Sequence, residues 1–372
     1  MPTSNRVTLG AGESQASSCR VLNAHIYSPL QKVHTLLVGL YSDLRNPPQF
    51  HRPWDERYAR ALERFVEAER LGAGAAWLSE HHLFEDGYLP QPMTFAAAIA
   101  ARTKTMRIGT AVMLAPLRPA LDLAEQFAVV DILSGGRVEL GLGLGYRVPE
   151  FDAYGCDITT RYAAFEDRVR EIRRLWVSGE CTPPPIQEYV PGWVGGTGPR
   201  LARMAGRLGE GLLWLAADLL EPYIEGLIEG GFQRSDARMG GLANLILADD
   251  PEEAWTRIAP HLAYQRDTYN RYAAEGQGGA GVAPTTLDLT GSAVNVDDLR
   301  RPAAEALPPS FDVVTPEEAI LRLTAWLDPM PVKHVYLWES IAGMPDDLAD
   351  RHVELVASRL APAMASLGTK LT

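Results

Sequence analysis

Glu80, His81 and His82 stand in a row directly behind an apolar run at 75–79. Imidazole is the side chain whose ordinary pKa suits proton transfer near neutrality, so a histidine at a strand end is a candidate acid or base. A structural, hydrogen-bonded histidine weighs equally, because a single dipeptide is a weak signal. Metal binding fits less well, since no H-E-x-x-H spacing or facial carboxylate set accompanies the pair.

A second candidate is Gly195-Gly196-Thr197-Gly198-Pro199-Arg200. It joins a buried strand to a helix that Pro199 can open, so backbone N–H groups of the first helical turn are left to bind an anion. Thr197 adds a hydroxyl and Arg200 a positive charge, both suited to phosphate. A plain turn carrying a surface arginine is the alternative. The run Gly141-Leu142-Gly143-Leu144-Gly145 looks like a dinucleotide fingerprint, but Tyr146 stands where its third glycine belongs and Pro149 follows instead of a long apolar helix. Its glycines let a planar ring or a neighbouring strand come close, or serve packing alone. Glu80 and Glu339 could form a glycosidase pair only if their carboxyls stood ~5 to 9 Å apart.

The elements that must position these residues follow a regular rhythm. Apolar runs at 36–40, 75–79, 108–114, 138–142, 192–195, 212–216, 242–248 and 335–338 alternate with helical stretches. Continuous apolar runs suit strands covered on both faces, and about eight βα units predict an α/β fold, a (β/α)8 TIM barrel with its ligand site at the C-terminal strand ends. Helical stripes Leu121/Ala124/Ala128/Ile132, Phe165/Val169/Ile172/Trp176 and Leu201/Met204/Ala205/Leu208 read as packing faces. Trp214 and Trp338, near strand ends, could face a substrate but read preferentially as barrel core. The domain is predicted over 34–372, behind a poorly structured N-terminal extension at 1–33 and with an insertion at about 275–309 over the C-terminal strand face. That insertion is either a lid or a tolerated surface loop.

The 372 residues are 46% hydrophobic and 22% charged, the composition of a folded protein, and their net charge of −12 argues against nucleic acid or an anionic membrane surface as partner. Three cysteines without a C-x-x-C pair, and no apolar core in 1–32, predict a cytoplasmic, reducing location.

Read together, Trp77-Leu78-Ser79-Glu80-His81-His82, Ile108-Gly109-Thr110-Ala111-Val112, Ala124-Glu125 with Asp131-Ile132-Leu133-Ser134-Gly135-Gly136-Arg137, and Glu150-Phe151 through Gly155 to Arg161 resemble the bacterial luciferase-like flavin monooxygenase family. The ordered series spans nearly the whole barrel. The resemblance implies reduced FMN, delivered by a separate NAD(P)H:flavin reductase, bound at the open end and reacting with dioxygen to form a flavin hydroperoxide that oxygenates an organic, partly apolar small molecule. It makes His81 the acid/base beside the flavin, with His82 in support. Arg161, Gly195, Gly196, Thr197 and Arg200 then hold the phosphate, while Gly143, Leu144 and a non-prolyl cis peptide at Ala111-Val112 lie by the ring. Leu144 replaces an arginine of bacterial luciferases, which removes one phosphate partner. A deazaflavin-dependent hydride-transfer enzyme of the same superfamily is the alternative, and a non-catalytic flavin-binding protein a further one. Family members commonly dimerise; no stripe in the sequence decides for a homodimer.

Overall fold

The computed structural model describes residues 36–275 and 311–368. The expected N-terminal extension and, apart from Glu275, the expected insertion lie outside the described residues.

Eight parallel strands close a barrel: β1 (Leu37–Ser42), β2 (Ala75–Leu78), β3 (Arg107–Thr110), β5 (Val138–Gly143), β6 (Gly192–Gly195), β7 (Gly211–Leu213), β8 (Met239–Leu242) and β11 (Val332–Trp338), with β11 returning to pair with β1. Two residues beyond β3 the chain resumes as β4 (Met113–Leu114), which pairs with the end of β5. The run expected as one strand at 242–248 is two elements: β8 ends at Leu242, and β9 (Leu245–Leu247) pairs with β10 (Asp312–Val314) in a separate two-stranded sheet. Ala243 and Asn244 make the break, the amide of Ala243 donating to Tyr336 and the Asn244 side chain accepting from Trp338 Nε1 at 3.1 Å. Apolar content cannot separate two buried strands of different sheets.

Helices return the chain between strands: α1 (Trp54–Leu71), α2 (Pro92–Arg102), α3 (Ala120–Ser134), α4 (Val148–Ala153), α5 (Arg161–Ser178), α6 (Pro199–Arg207), α7 (Leu220–Gly230), α8 (Pro251–Glu275), α9 (Pro316–Leu327) and α10 (Asp346–Leu355). Gly135 ends α3 in the left-handed conformation, as its position behind Ser134 predicts. The stripe expected on α3 needs correction. Ala124 and Ala128 are buried beside Leu123 and Phe127, but Leu121 and Ile132 are exposed. With apolar residues almost all round this helix, spacing alone does not fix which side faces the barrel. On α5 and α6 the expected stripes are buried, with Trp176 half-buried and donating to Ala124 O at 3.1 Å.

Candidate functional site

Behind β2 the chain turns across the C-terminal barrel mouth and places His81 and His82 there. His81 Nδ1 lies 2.8 Å from Glu150 Oε1 on α4. The same oxygen accepts from the His82 amide at 2.9 Å and from Arg147 Nη1 at 3.3 Å. Burial alone would raise the pKa of Glu150, but these donors outweigh it and hold the carboxyl below its ordinary value. Glu150 is therefore an acceptor, and Nδ1 carries the proton that it receives. His82 Nε2 is tied to Glu80 Oε1 at 2.8 Å, Glu80 Oε2 accepts from the Leu114 amide at 2.6 Å, and Arg118 completes an ion pair with Glu80. The two histidines thus differ: one leans on α4, the other on a residue just beyond the end of β2.

Aromatic rings fix the His81 imidazole. Phe84 stacks on it at 4.9 Å between centroids and Tyr88 meets it edge-on at 4.8 Å. Tyr88 is held in turn by hydroxyl contacts to Ser79 at 2.8 Å, Tyr269 at 2.9 Å and Tyr41 at 3.0 Å. Beneath them Arg45 pairs with Asp86 at 2.6 Å, and burial pushes the Asp43 carboxyl up to about 6 despite the nearby Arg45.

The peptide Ala111-Val112 is cis and non-prolyl, as the family resemblance implied, and it separates β3 from β4. The Val112 side chain lies over the ends of β5 and β6. A Cβ on Gly143 would lie 2.2 Å from Val112 Cγ2, and one on Gly195 2.2 Å from Val112 Cγ1. Those two glycines leave room for Val112, and Gly141 for the Thr110 carbonyl oxygen, which a Cβ there would meet at 1.6 Å. Close approach of a neighbouring strand, one of the two roles expected for the run, accounts for Gly141. Ala111, Val112 and Leu144 are half-buried and form a shelf at the mouth.

Beyond that shelf Gly196, Thr197 and Gly198 lead into α6, whose N-terminus no side chain caps. Arg200 lies over the Tyr162 ring at 3.9 Å, and Arg161 over the same ring at 5.4 Å. Among the described residues neither guanidinium pairs with a carboxylate. Thr197 and Arg200 are exposed and Arg161 half-buried. Of the residues expected around a phosphate, Arg161 on the first turn of α5 and Arg200 on the first turn of α6 meet at the Tyr162 ring, while Gly195 ends β6 and Gly196 and Thr197 lie in the loop that leads into α6.

Other expectations change. Trp214, expected in the core, is 42% exposed behind β7, whereas Trp338 is buried. Glu339 is not a catalytic partner of Glu80: Arg64 at 2.7 Å, Arg57 at 3.1 Å and Ser42 at 3.0 Å occupy it. The sequence shows Glu150 within the family motif and Tyr146 where a third glycine would stand, but assigns a chemical role to neither; the Tyr146 hydroxyl stands 3.5 Å from His81 Nε2. The only available signal was their place just behind the glycine-rich strand end. Among the described residues no group of three His, Cys, Asp or Glu could hold a metal ion, and no helix is long and apolar enough to cross a membrane.

The profile of the luciferase-like monooxygenase family matches residues 37–321. An F420-dependent glucose-6-phosphate dehydrogenase of Amycolatopsis mediterranei is 32% identical over 188 residues, 45% of this chain and 56% of that protein. The chain thus spans little more than half the length of that curated relative. Among solved structures, the monooxygenase RslO1 from Streptomyces bottropensis has a TM-score of 0.71 at 24% identity, covering 88% of this chain and 99% of its own. The oxygenating constituent of 3,6-diketocamphane monooxygenase from Pseudomonas putida, solved with FMN, has a TM-score of 0.65 at 17% identity, covering 88% and 98%.

Proposed function

The chain belongs to the luciferase-like monooxygenase family, and from that premise we propose that it is a reduced-FMN-dependent monooxygenase acting on an organic, partly apolar small molecule. The observation that carries this reading is the pair Arg161 and Arg200 on one Tyr162 ring beside an uncapped helix N-terminus. A terminal phosphomonoester carries about −1.5 to −2 charge at pH 7, which suits a helix end and two guanidinium groups without a carboxylate partner among the described residues, Arg161 donating to the Ile158 carbonyl at 3.0 Å. A phosphodiester carries a single charge.

When bound, reduced FMN supplies the electrons that activate dioxygen. The protein's own part is placement. Arg161, Arg200, Thr197 and Gly196 would anchor its phosphate, and the Ala111-Val112 shelf would support its ring. Glu150 fixes the tautomer of His81 so that Nε2 is the nitrogen left for proton exchange. Phe84 and Tyr88 keep water from the imidazole faces. A separate NAD(P)H:flavin reductase would deliver the cofactor.

A second reading has its own support: the relative from Amycolatopsis mediterranei is named an F420-dependent dehydrogenase. Parallel anaerobic titrations with reduced FMN and reduced F420, followed by admission of oxygen, decide between them. Binding of reduced FMN, with rapid oxygen-dependent reoxidation, is the expected result. Binding of F420 alone overturns the monooxygenase reading.

A further inference from the structure

Neither histidine presents its ring to the mouth directly. His81 and His82 are each 8% exposed, and the faces of the His81 ring meet Phe84 and Tyr88. Its Nδ1 is committed to Glu150, and its Nε2 points to Tyr146 Oη at 3.5 Å. Tyr146 is 39% exposed, packed edge-on against the imidazole at 5.4 Å between centroids. It follows Gly145, which takes the left-handed φ of +71° that the turn behind β5 requires. The chain thus brings an exposed phenol to the one nitrogen of His81 that remains available.

We propose that Tyr146 is the group that meets the substrate or the flavin, and that Glu150, His81 and Tyr146 form a proton relay of which the phenol is the outer member. This rests on reading the mouth as a redox site that needs a proton moved. When a proton is taken up, the X–H bond of the reactant breaks and its proton bonds to the phenol oxygen, while the electron pair stays on X. The phenol O–H bond breaks in the same movement and its proton bonds to His81 Nε2. The imidazolium so formed is held by the Glu150 carboxylate. Run in reverse, the relay delivers one proton, and no electrons change hands. Tyr146 is the catalytic residue in this scheme; His81 passes the proton on, and Glu150 is a positioning residue.

The test is Tyr146→Phe, which keeps the ring and removes the hydroxyl. In cofactor-free protein with 15N-labelled histidine, the Nε2 resonance of His81 should move toward that of an unbonded pyridine-type nitrogen. With reduced FMN bound, oxygen-dependent reoxidation should slow at least about tenfold while the dissociation constant for reduced FMN is unchanged. In Glu150→Gln the proton of His81 should distribute between its two nitrogens. An unmoved Nε2 resonance, or wild-type reoxidation by Tyr146→Phe with FMN bound, overturns the relay. Failure of reduced FMN to bind wild-type and variant alike would remove the flavin reading instead, and the nitrogen resonance would still decide the relay.

Discussion

The barrel holds a buried histidine–glutamate pair at each end. At the N-terminal end, Glu139 of β5 lies 3.6 Å from His334 Nε2 of β11, accepts from Arg107 Nε at 2.7 Å and from Trp193 Nε1 at 2.5 Å. The edges of Trp77 and Trp193 close on the His334 ring at 5.1 and 5.2 Å. At the C-terminal end Glu150 holds His81 more closely, at 2.8 Å, and there the second nitrogen leads to a half-open tyrosine. The chemistry of the two pairs is alike; their exits differ. A buried imidazole–carboxylate pair is a site only where a group connects it to the outside, and otherwise it is a rivet.

The largest expected effect breaks the rivet. Arg107→Met leaves the Glu139 carboxylate buried without its guanidinium, and loss of one partner of a buried pair costs about 3 kcal/mol or more. Urea unfolding should show it, with reduced-FMN affinity of the folded protein unchanged. If flavin binding falls instead, the two ends are coupled and the contrast fails.

The same pair sets an acid limit. Burial would raise the pKa of Glu139, but Arg107 and His334 outweigh it and hold it at about 2, against an ordinary 4.5. The folded protein then binds fewer protons than the unfolded chain, so this stabilisation is complete above about 4.5 and disappears as pH falls toward about 2. Melting temperature followed across that interval should fall steeply in the wild type and less steeply in Arg107→Met.

At the open end the effect should appear in rate rather than stability. Glu150→Gln keeps an acceptor for the His82 amide but removes the charge that stabilises an imidazolium at His81, so turnover should drop about 10²-fold with the reduced-FMN dissociation constant unchanged. Equal losses of stability in Glu150→Gln and Arg107→Met would make both pairs rivets.

How far these differences are legible in the sequence depends on chain distance. His81 and His82 can be placed because a strand ends just before them, and the α6 cradle because Pro199 marks a helix start. The partner of His81 cannot, because Glu150 lies 69 residues away and reaches it only after the glycine-rich strand end turns into α4. Glu139 and Arg107 did carry a signal, polar residues at the starts of apolar strands, which the reading of continuous apolar runs passed over. Trp214 was misplaced for a related reason: a residue just beyond a short strand keeps the apolar pattern of the core yet stands on the rim.

The smallest effect separates recognition of the phosphate from packing at the mouth. Arg200 and Arg161 share one ring, so either could hold a ligand anion or simply cover Tyr162. If they bind phosphate, Arg200→Ala weakens FMN about tenfold, the scale of one charge-assisted contact at an exposed site, and the loss shrinks as salt is raised. Riboflavin carries the same ring without the phosphate and should bind wild type and variant equally. Matched losses for both ligands at every ionic strength would mean that the guanidinium shapes the mouth through Tyr162, and the anion cradle would then reduce to the N-terminus of α6 and Thr197.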